Sequence, residues 1–271
     1  MRILMTGASG GIGNRLRKLL PPIYKQLVLS DIRPPECLAP FEAFIQADLS
    51  DFSSVMRAVA GMDAIVHLGG YSIEGPWQTI LQSNIIGTYN VFEAARRNGV
   101  KRVVFASSNH VVGFHPRTRK FGADILPLPD SRYGVSKAFG ESLGALYAHK
   151  YGLRVFCIRI GNVGNCPDNE RKLSIWLKPE DLVSLIRIGL EQEGLVFEVV
   201  YGISDNLRAF WDNSRARELG YLPNGKAEDF AQEALERQLA LPHDEIGDLF
   251  QGGPFCSAEF SASFAPSPGQ K

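Results

Sequence analysis

The sequence predicts an α/β fold with a doubly wound parallel sheet, and three observations carry that expectation. Short apolar runs alternate with longer helical stretches through most of the chain. Most of the short runs are apolar throughout instead of alternating with polar residues, as in strands covered on both faces. A glycine-rich turn joins the first run to the first helical stretch. Parallel neighbours need crossover connections, and the helical stretches supply them. Ligands of such sheets bind beyond the carboxyl ends of the strands, so residues at those ends carry the functional argument.

In chain order, the first strand is expected over residues 2–6, followed after the glycine turn by a helix over 12–20. Strands over 27–31 and 43–46 precede a helix over 53–60, and a strand over 64–68 leads to a long helix over 77–98. The apolar run 102–107 reads as the next strand. A helix over 133–151 follows, with Asp130 or Ser131 placed to cap it. Strands over 154–160 and 196–201 flank a helix over 180–192. Residues 1–160 then form the dinucleotide-type unit. Residues 161–271 are too few for a second large domain and should add one strand, two or three helices and a small substrate-facing cap to the same compact body. The tail from Gln251 is rich in Ser, Pro, Gly and Phe and has weak periodicity, so disorder is expected there.

Composition narrows the function classes. The chain has 271 residues, 45% of them hydrophobic, and its 29 Lys+Arg offset 29 Asp+Glu for zero formal charge. That balance gives no electrostatic reason for nucleic acid or an anionic membrane as partner. The apolar runs fall far short of the ~20 residues that span a bilayer, and Met1-Arg2 leads straight into a strand with no signal-type apolar segment. The four cysteines, Cys37, Cys157, Cys166 and Cys256, form no CxxC pair. They read as packing or incidental residues in a reducing compartment, and a cytoplasmic location is expected.

The first strand runs into Thr6-Gly7-Ala8-Ser9-Gly10-Gly11-Ile12-Gly13. Glycines at 7, 10 and 13 permit a tight turn, close approach of backbone amides to a pyrophosphate, and close helix–strand packing. Asp31 ends the second strand, where a carboxylate accepts hydrogen bonds from ribose hydroxyls and repels a 2′-phosphate, which favours NAD over NADP. Arg33 works against that preference, because a nearby cation tolerates the phosphate. Asp48-Leu49 suits the adenine edge, although Asp48 reads equally well as an N-cap residue before Ser53. Leu68-Gly69-Gly70 leaves room for a cofactor to lie close.

Tyr133 and Lys137 stand four apart at the start of a helix and share one face. A phenol titrates near ~10 and is a poor base at neutral pH, but a nearby ammonium and a positive nicotinamide together favour the phenolate. Tyr133 could then take a hydroxyl proton while a hydride leaves the same carbon, with Lys137 also within reach of a nicotinamide ribose. The strand before this helix ends in Ala106-Ser107-Ser108-Asn109-His110, which makes Ser108 the natural partner of a substrate oxygen. A loop-forming serine pair is the alternative reading of Ser107 and Ser108. No further His, Cys or carboxylate is spaced to make a metal site with His110.

The strings TGASGGIG, HLGG (67–70), SNIIGTYNV (83–91), FASS (105–108) and YGVSK (133–137), with Asp31, resemble the extended short-chain dehydrogenase/reductase family. The resemblance implies a Rossmann-type domain with Tyr133, Lys137 and Ser108 as catalytic residues. It implies cofactor contacts at Gly7, Gly10, Gly11, Ile12 and Gly13, at Asp31 and Ile32, and at Asp48 and Leu49. Leu68, Gly69, Gly70, Asn84, Ser107 and Ile160 complete the implied set, with Tyr133 and Lys137. Asn84 would support the proton path from the active-site wall; its plain alternative is a polar residue that caps or bends the long helix.

A second group of strings, HLGGYSIEGPW (67–77), FASSNHVVGFHP (105–116), RIGN (159–162), NERKLSIW (169–176), WDNS (211–214) and FQGGPF (250–255), is similar to bacterial uronate dehydrogenases and extends the resemblance over nearly the whole chain. Those enzymes oxidise the anomeric carbon of galacturonate or glucuronate with NAD to an aldarate lactone. The resemblance implies substrate contacts at Ser72, Ser108, Asn109, His110, Tyr133, Asn162 and Arg171, with Phe255 folding over the sugar. Arg171 would read the uronate carboxylate through a guanidinium fork; without the resemblance it reads as a solvated charge in the run 168–172. His110 reads equally as a core histidine or a neutral sugar contact. Asn162 departs from the serine expected at that place. The resemblance also implies a homo-oligomer paired through the long helices. A nucleotide-sugar epimerase or dehydratase and a non-catalytic NAD-binding sensor are the competing readings. The first is weakened by the lack of a basic cluster for a diphosphate, and the second by the retained Ser108, Tyr133 and Lys137.

Overall fold

A computed structural model describes residues 1–262. In chain order its elements are β1 (Ile3–Thr6), α1 (Gly11–Leu19), β2 (Leu27–Asp31), β3 (Ala43–Gln46), α2 (Phe52–Val59) and β4 (Ala64–His67). There follow α3 (Trp77–Ile80), a π-helical segment (Leu81–Ile86), α4 (Gly87–Arg97), β5 (Arg102–Ser108), α5 (Arg132–Tyr151) and β6 (Arg154–Ile160). The remainder comprises β7 (Asn162–Val163), α6 (Glu170–Ile175), β8 (Trp176–Leu177), α7 (Pro179–Glu191), β9 (Phe197–Gly202), α8 (Ser214–Glu218), α9 (Ala231–Gln238) and α10 (Pro254–Ser257).

Among the described residues, seven strands form one sheet in the order β3-β2-β1-β4-β5-β6-β9, and every neighbouring pair is parallel. The reversal of strand order beside β1 opens the crevice in which such sheets hold ligands. Strand alternation divides the core into two layers. Ile3, Met5, Val66, Val104 and Phe156 face one side with Leu16 of α1 and Leu182 and Ile186 of α7. Leu4, Ile65, Val103, Phe105 and Val155 face the other with Val55 of α2, Phe92 of α4 and Leu143 of α5. Continuous apolar runs in the sequence therefore correspond to strands buried on both faces.

Three expectations change. The long helix over 77–98 is interrupted by the π-helical segment, which turns Asn84 inward. The region after residue 160 joins the main sheet, β9 pairing with β6 and α7 packing on the same sheet as α1. It holds more helices than the two or three expected; α6, α8 and α10 are too short to show a helical period in the sequence. Finally, the tail is ordered over 251–262. Gln251 is wholly buried; its amide donates to the carbonyls of Pro116 and Arg119 at 3.0 and 2.8 Å and accepts from Trp211 Nε1 at 2.7 Å. One amide satisfying three partners outweighs a composition that favours disorder. Residues 263–271 lie outside the described residues. Among those described, no helix is long and apolar enough to cross a membrane, and the four cysteines are free thiols, Cys157 and Cys256 buried.

Candidate active site

The glycine turn after β1 is built for close approach. Gly7 holds φ at 69°, and a Cβ there would lie 2.7 Å from the Gly69 nitrogen on the loop after β4. A Cβ at Gly13 would collide with the Gly7 carbonyl. Helix α1 starts at Gly11 without a side-chain cap and with no acidic residue in its first turn. Its first amides and the positive end of its dipole are thus left for an anion. Gly10, Gly11 and Ile12 lie on that open end.

Asp31, at the end of β2, accepts from the amides of Ser9 and Ile32 at 2.9 and 2.7 Å. These bonds tie the turn to the second strand and leave carboxylate lone pairs for a ribose. The Arg33 side chain is exposed, while its carbonyl accepts from the Ser9 hydroxyl at 2.7 Å. The N-cap of α2 is Asp51, which accepts from Ser53 N at 2.9 Å; Asp48 instead takes the amide and hydroxyl of Ser50, both at 2.8 Å. The capping reading of Asp48 is corrected accordingly. Leu49 packs against Gly69, where a Cβ would lie 2.7 Å from its Cδ1, and the Gly69 amide donates to Thr6 Oγ1 at 3.2 Å. Leu68 stands beside Gly69 at the end of β4. This cradle fits a dinucleotide: the helix end is open, and a Cβ at Gly7, Gly13 or Gly69 would strike neighbouring backbone or Leu49 and spread the turn.

Asn84 links the next pieces. Its side chain accepts from Tyr71 N at 2.7 Å and donates to Tyr71 O and Ser136 Oγ, both at 2.9 Å. It therefore braces the loop after β4 against the first turn of α5, and the bending alternative describes part of its role.

The chemical groups meet where β5 ends and α5 begins. Ser131 caps α5, accepting from Gly134 N at 3.0 Å; Asp130 does not. The Ser108 hydroxyl, which accepts from His110 N at 3.2 Å, stands near enough to the Tyr133 phenol to work against the rise of its pKa. Lys137 is buried, donates to Ala106 O at 2.8 Å and lies 5.6 Å from the centre of the Tyr133 ring. Burial pushes the phenol up to about 12, with Asp130 adding to the rise and Ser108 opposing it. The same burial lowers the Lys137 ammonium to about 8. Loss of solvent dominates in the enclosed site, so of the two positive charges expected to favour the phenolate, the ammonium by itself does not bring the phenol toward neutrality. Ser107, adjacent on the strand, points to the opposite face and donates to Glu141 Oε1 at 2.5 Å. Its hydroxyl proton is engaged there and is not free for the cofactor contact expected of it.

The substrate side is framed by three segments. Arg171, in α6, donates from Nε to Gln251 O at 2.8 Å. The Asn109 amide accepts from Arg171 Nη2 and donates to Ile160 O, both at 3.1 Å. Asn109 is buried and braces Arg171, with one amide N–H and one carbonyl lone pair left over. Arg171 is partly buried and has no carboxylate partner among the described residues. Burial, then the charge of Arg117, depresses its guanidinium to about 10, with Asp130 opposing. The solvated-charge reading fails on these observations. His110 stacks on Phe255 with ring centres 3.8 Å apart and stands edge-on to Tyr133 at 5.8 Å. Phe255 thus folds back into the site. Asn162 lies partly exposed on β7 and Ser72 exposed on the loop after β4; neither is drawn into the hydrogen-bonded cluster.

Sequence reasoning missed the supports. Glu141 and Arg159 form a buried double hydrogen bond, both legs 2.9 Å. Glu74 accepts from Tyr133 N at 3.0 Å. Gln251 anchors the tail. Of these, only Glu141 carried a local signal, since it lies one turn beyond Lys137 on the same helix face. Among the described residues no cluster of His, Cys, Asp and Glu is arranged to hold a metal ion.

An open helix end at the crevice of a parallel sheet, joined to a Ser–Tyr–Lys cluster, defines a dinucleotide-dependent enzyme acting on a carbon–oxygen centre. Comparison with known proteins agrees: a model described as the NAD dependent epimerase/dehydratase family matches residues 3–177. The chain belongs to this family, the extended branch of the short-chain dehydrogenases/reductases. It is 44% identical over 258 residues to a uronate dehydrogenase of Pseudomonas putida, covering 95% of this chain and 96% of that one. The crystal structure of uronate dehydrogenase from Agrobacterium tumefaciens aligns at 44% identity and a TM-score of 0.89, covering 94% of this chain and 96% of the other. A mutant of that enzyme has been crystallised complexed with NAD. A glucuronic acid dehydrogenase structure from Chromohalobacter salexigens aligns at 40% identity with a TM-score of 0.89, covering 94% of this chain and 96% of that one.

Proposed function

We propose that this chain is an NAD-dependent uronate dehydrogenase that oxidises the anomeric carbon of galacturonate or glucuronate to the aldarate lactone. The observation that carries the reading is Arg171, a partly buried guanidinium with neutral partners only, beside the Ser108–Tyr133 pair. A buried cation without a counter-ion is costly unless a ligand supplies the anion, and a planar fork suits a carboxylate. The full-length likeness to uronate dehydrogenases supports the same substrate class.

In the mechanism, Ser108 Oγ holds the anomeric hydroxyl beside the phenol. Tyr133 Oη takes the hydroxyl proton as the C1–H bond breaks and the carbon–oxygen double bond forms. NAD, when bound, supplies the hydride acceptor and a positive ring that favours the phenolate. Lys137, held by Ala106 O, keeps a positive charge next to the phenol and lies within reach of the nicotinamide ribose. Asp31 receives the adenosine ribose, and the turn from Gly7 to Gly13 the pyrophosphate. Phe255 and His110 wall off water from the reacting carbon.

The proposal extends to a homo-oligomer, since Tyr89 on α4 and Leu146 on α5 remain exposed, and to a cytoplasmic location, in keeping with four free thiols. The test is NADH formation by purified protein with NAD and galacturonate or glucuronate, against galactose as control. Reduction with the uronates and little with galactose supports the reading. Equal rates with galactose would remove the carboxylate from it, and no reduction with any of them would end it.

A further inference from the structure

Asp130 is not required for proton or hydride transfer, yet its side chain is completely enclosed. Its Oδ2 lies 2.7 Å from His110 Nδ1, and its Oδ1 accepts from the Ser131 hydroxyl at 2.7 Å. The room it occupies depends on two glycines: a Cβ at Gly113 or at Gly252 would run into the carboxylate. Those glycines are themselves joined, Gly252 N donating to Gly113 O at 2.8 Å. Asp130 also lies beside the first turn of α5, whose dipole favours a negative charge at that place. The protein thus builds a fitted socket for one carboxylate on the far side of His110.

A carboxylate can only accept, so the nitrogen facing it must carry hydrogen. The remaining nitrogen, Nε2, has no partner among the described residues. Stacking on Phe255 and the edge contact with Tyr133 fix the ring plane. Orientation and tautomer are therefore set by different neighbours: the aromatic rings hold the imidazole, and Asp130 determines which nitrogen is bare. We propose that Asp130 is a positioning residue that locks His110 in the Nδ1–H tautomer, so that Nε2 accepts a hydrogen bond from a sugar hydroxyl next to the reacting carbon. The role rests on the sugar-dehydrogenase reading above. A hydroxyl that donates to Nε2 has its lone pairs turned elsewhere, and this orients the sugar as well as binding it.

The isosteric change Asp130→Asn keeps the shape and the bond to Ser131 but presents an amide N–H to Nδ1, which favours the opposite tautomer. In nitrogen-15 spectra of the free enzyme labelled at histidine, with His110→Gln to assign the signal, wild-type His110 shows protonated Nδ1 and bare Nε2. Asp130→Asn exchanges them. In kinetics the variant raises the uronate KM about tenfold, the scale of one mispaired hydrogen bond, while the NAD dissociation constant is unchanged. In a His110→Gln background Asp130→Asn adds no further KM loss. A wild-type imidazolium, an Nε2–H tautomer, or an unaltered tautomer in Asp130→Asn would overturn the assignment. So would lowered thermal stability with no change in KM, which describes a structural carboxylate only. The spectra require no substrate; failure of wild-type enzyme to turn over uronates would end the functional reading without deciding the tautomer.

Discussion

Burial acts on Tyr133 and Lys137 in opposite senses: it raises the phenol to about 12 and lowers the ammonium to about 8. Each group is driven toward its neutral form, so the chain alone does not hold a ready-made phenolate. A further positive charge at the site is what the arrangement needs, and the dinucleotide cradle stands where one would be delivered. Replacing Tyr133 by Phe should leave NAD binding intact and reduce turnover by ~10²–10⁴-fold, the usual worth of a positioned proton acceptor. Steady-state rates beside fluorescence titration with NADH check this, and appreciable residual turnover would remove Tyr133 as the base. Arg171 makes a separate case. Its guanidinium is held by two neutral oxygens and faces no carboxylate among the described residues. Arg171→Ala should raise the uronate KM by roughly tenfold or more with the NAD constant unchanged, and Arg171→Lys should recover little of it, since an ammonium lacks the fork. Unchanged uronate kinetics in Arg171→Ala would return the residue to a packing role.

At the scale of elements, helix α5 organises the site. Its first turn carries Tyr133, its second Lys137, and one turn further Glu141 reaches under β5. Glu141 binds Arg159 of β6 through two bonds of 2.9 Å and receives the Ser107 hydroxyl at 2.5 Å. One carboxylate thus pins the catalytic helix to two strands, next to the residue that precedes Ser108. Both partners are nearly sealed from solvent, with 3% and 8% of their side chains exposed. Glu141→Gln leaves Arg159 without its counter-charge and should cost ~3–5 kcal/mol of stability. Urea unfolding measures it; a loss below about 1 kcal/mol would show that the pair contributes little beyond a surface ion pair.

At the scale of the whole molecule, the sheet buries a histidine that couples stability to pH. His67 is wholly enclosed, with Nδ1 2.8 Å from Thr6 Oγ1. Burial, helped by the charge of Lys137, depresses it from 6.5 to about 3. Below about 6.5 the unfolded chain takes up this proton and the folded chain does not, so the unfolded state binds more protons. Stability therefore falls as pH drops from about 6.5 toward about 3 and levels off below. Near pH 5 the contribution lost is on the order of 2 kcal/mol. His67→Gln should flatten the decline in urea-unfolding stability between about pH 7 and about pH 5, and an equal decline in both proteins would assign the acid sensitivity elsewhere.

The sequence by itself determined the parts of this protein whose signal is local. The turn from Gly7 to Gly13 reads from adjacent residues because backbone approach needs glycine at fixed spacing, and Tyr133 with Lys137 reads from helical geometry. The strands of the sheet are legible because burial on both faces leaves continuous apolar runs. Tertiary structure alone decided the rest. Asp130 faces His110 across 20 residues, Glu141 faces Arg159 across 18, and Gln251 reaches Pro116 and Arg119 across 135 and 132. No periodicity marks such pairs. Their energies come from desolvation and hydrogen bonding that exist only once the sheet has brought the partners together. The same enclosure ordered a tail whose composition favours disorder, and it raised the phenol and lowered the ammonium, an effect of burial that the four-residue spacing does not show.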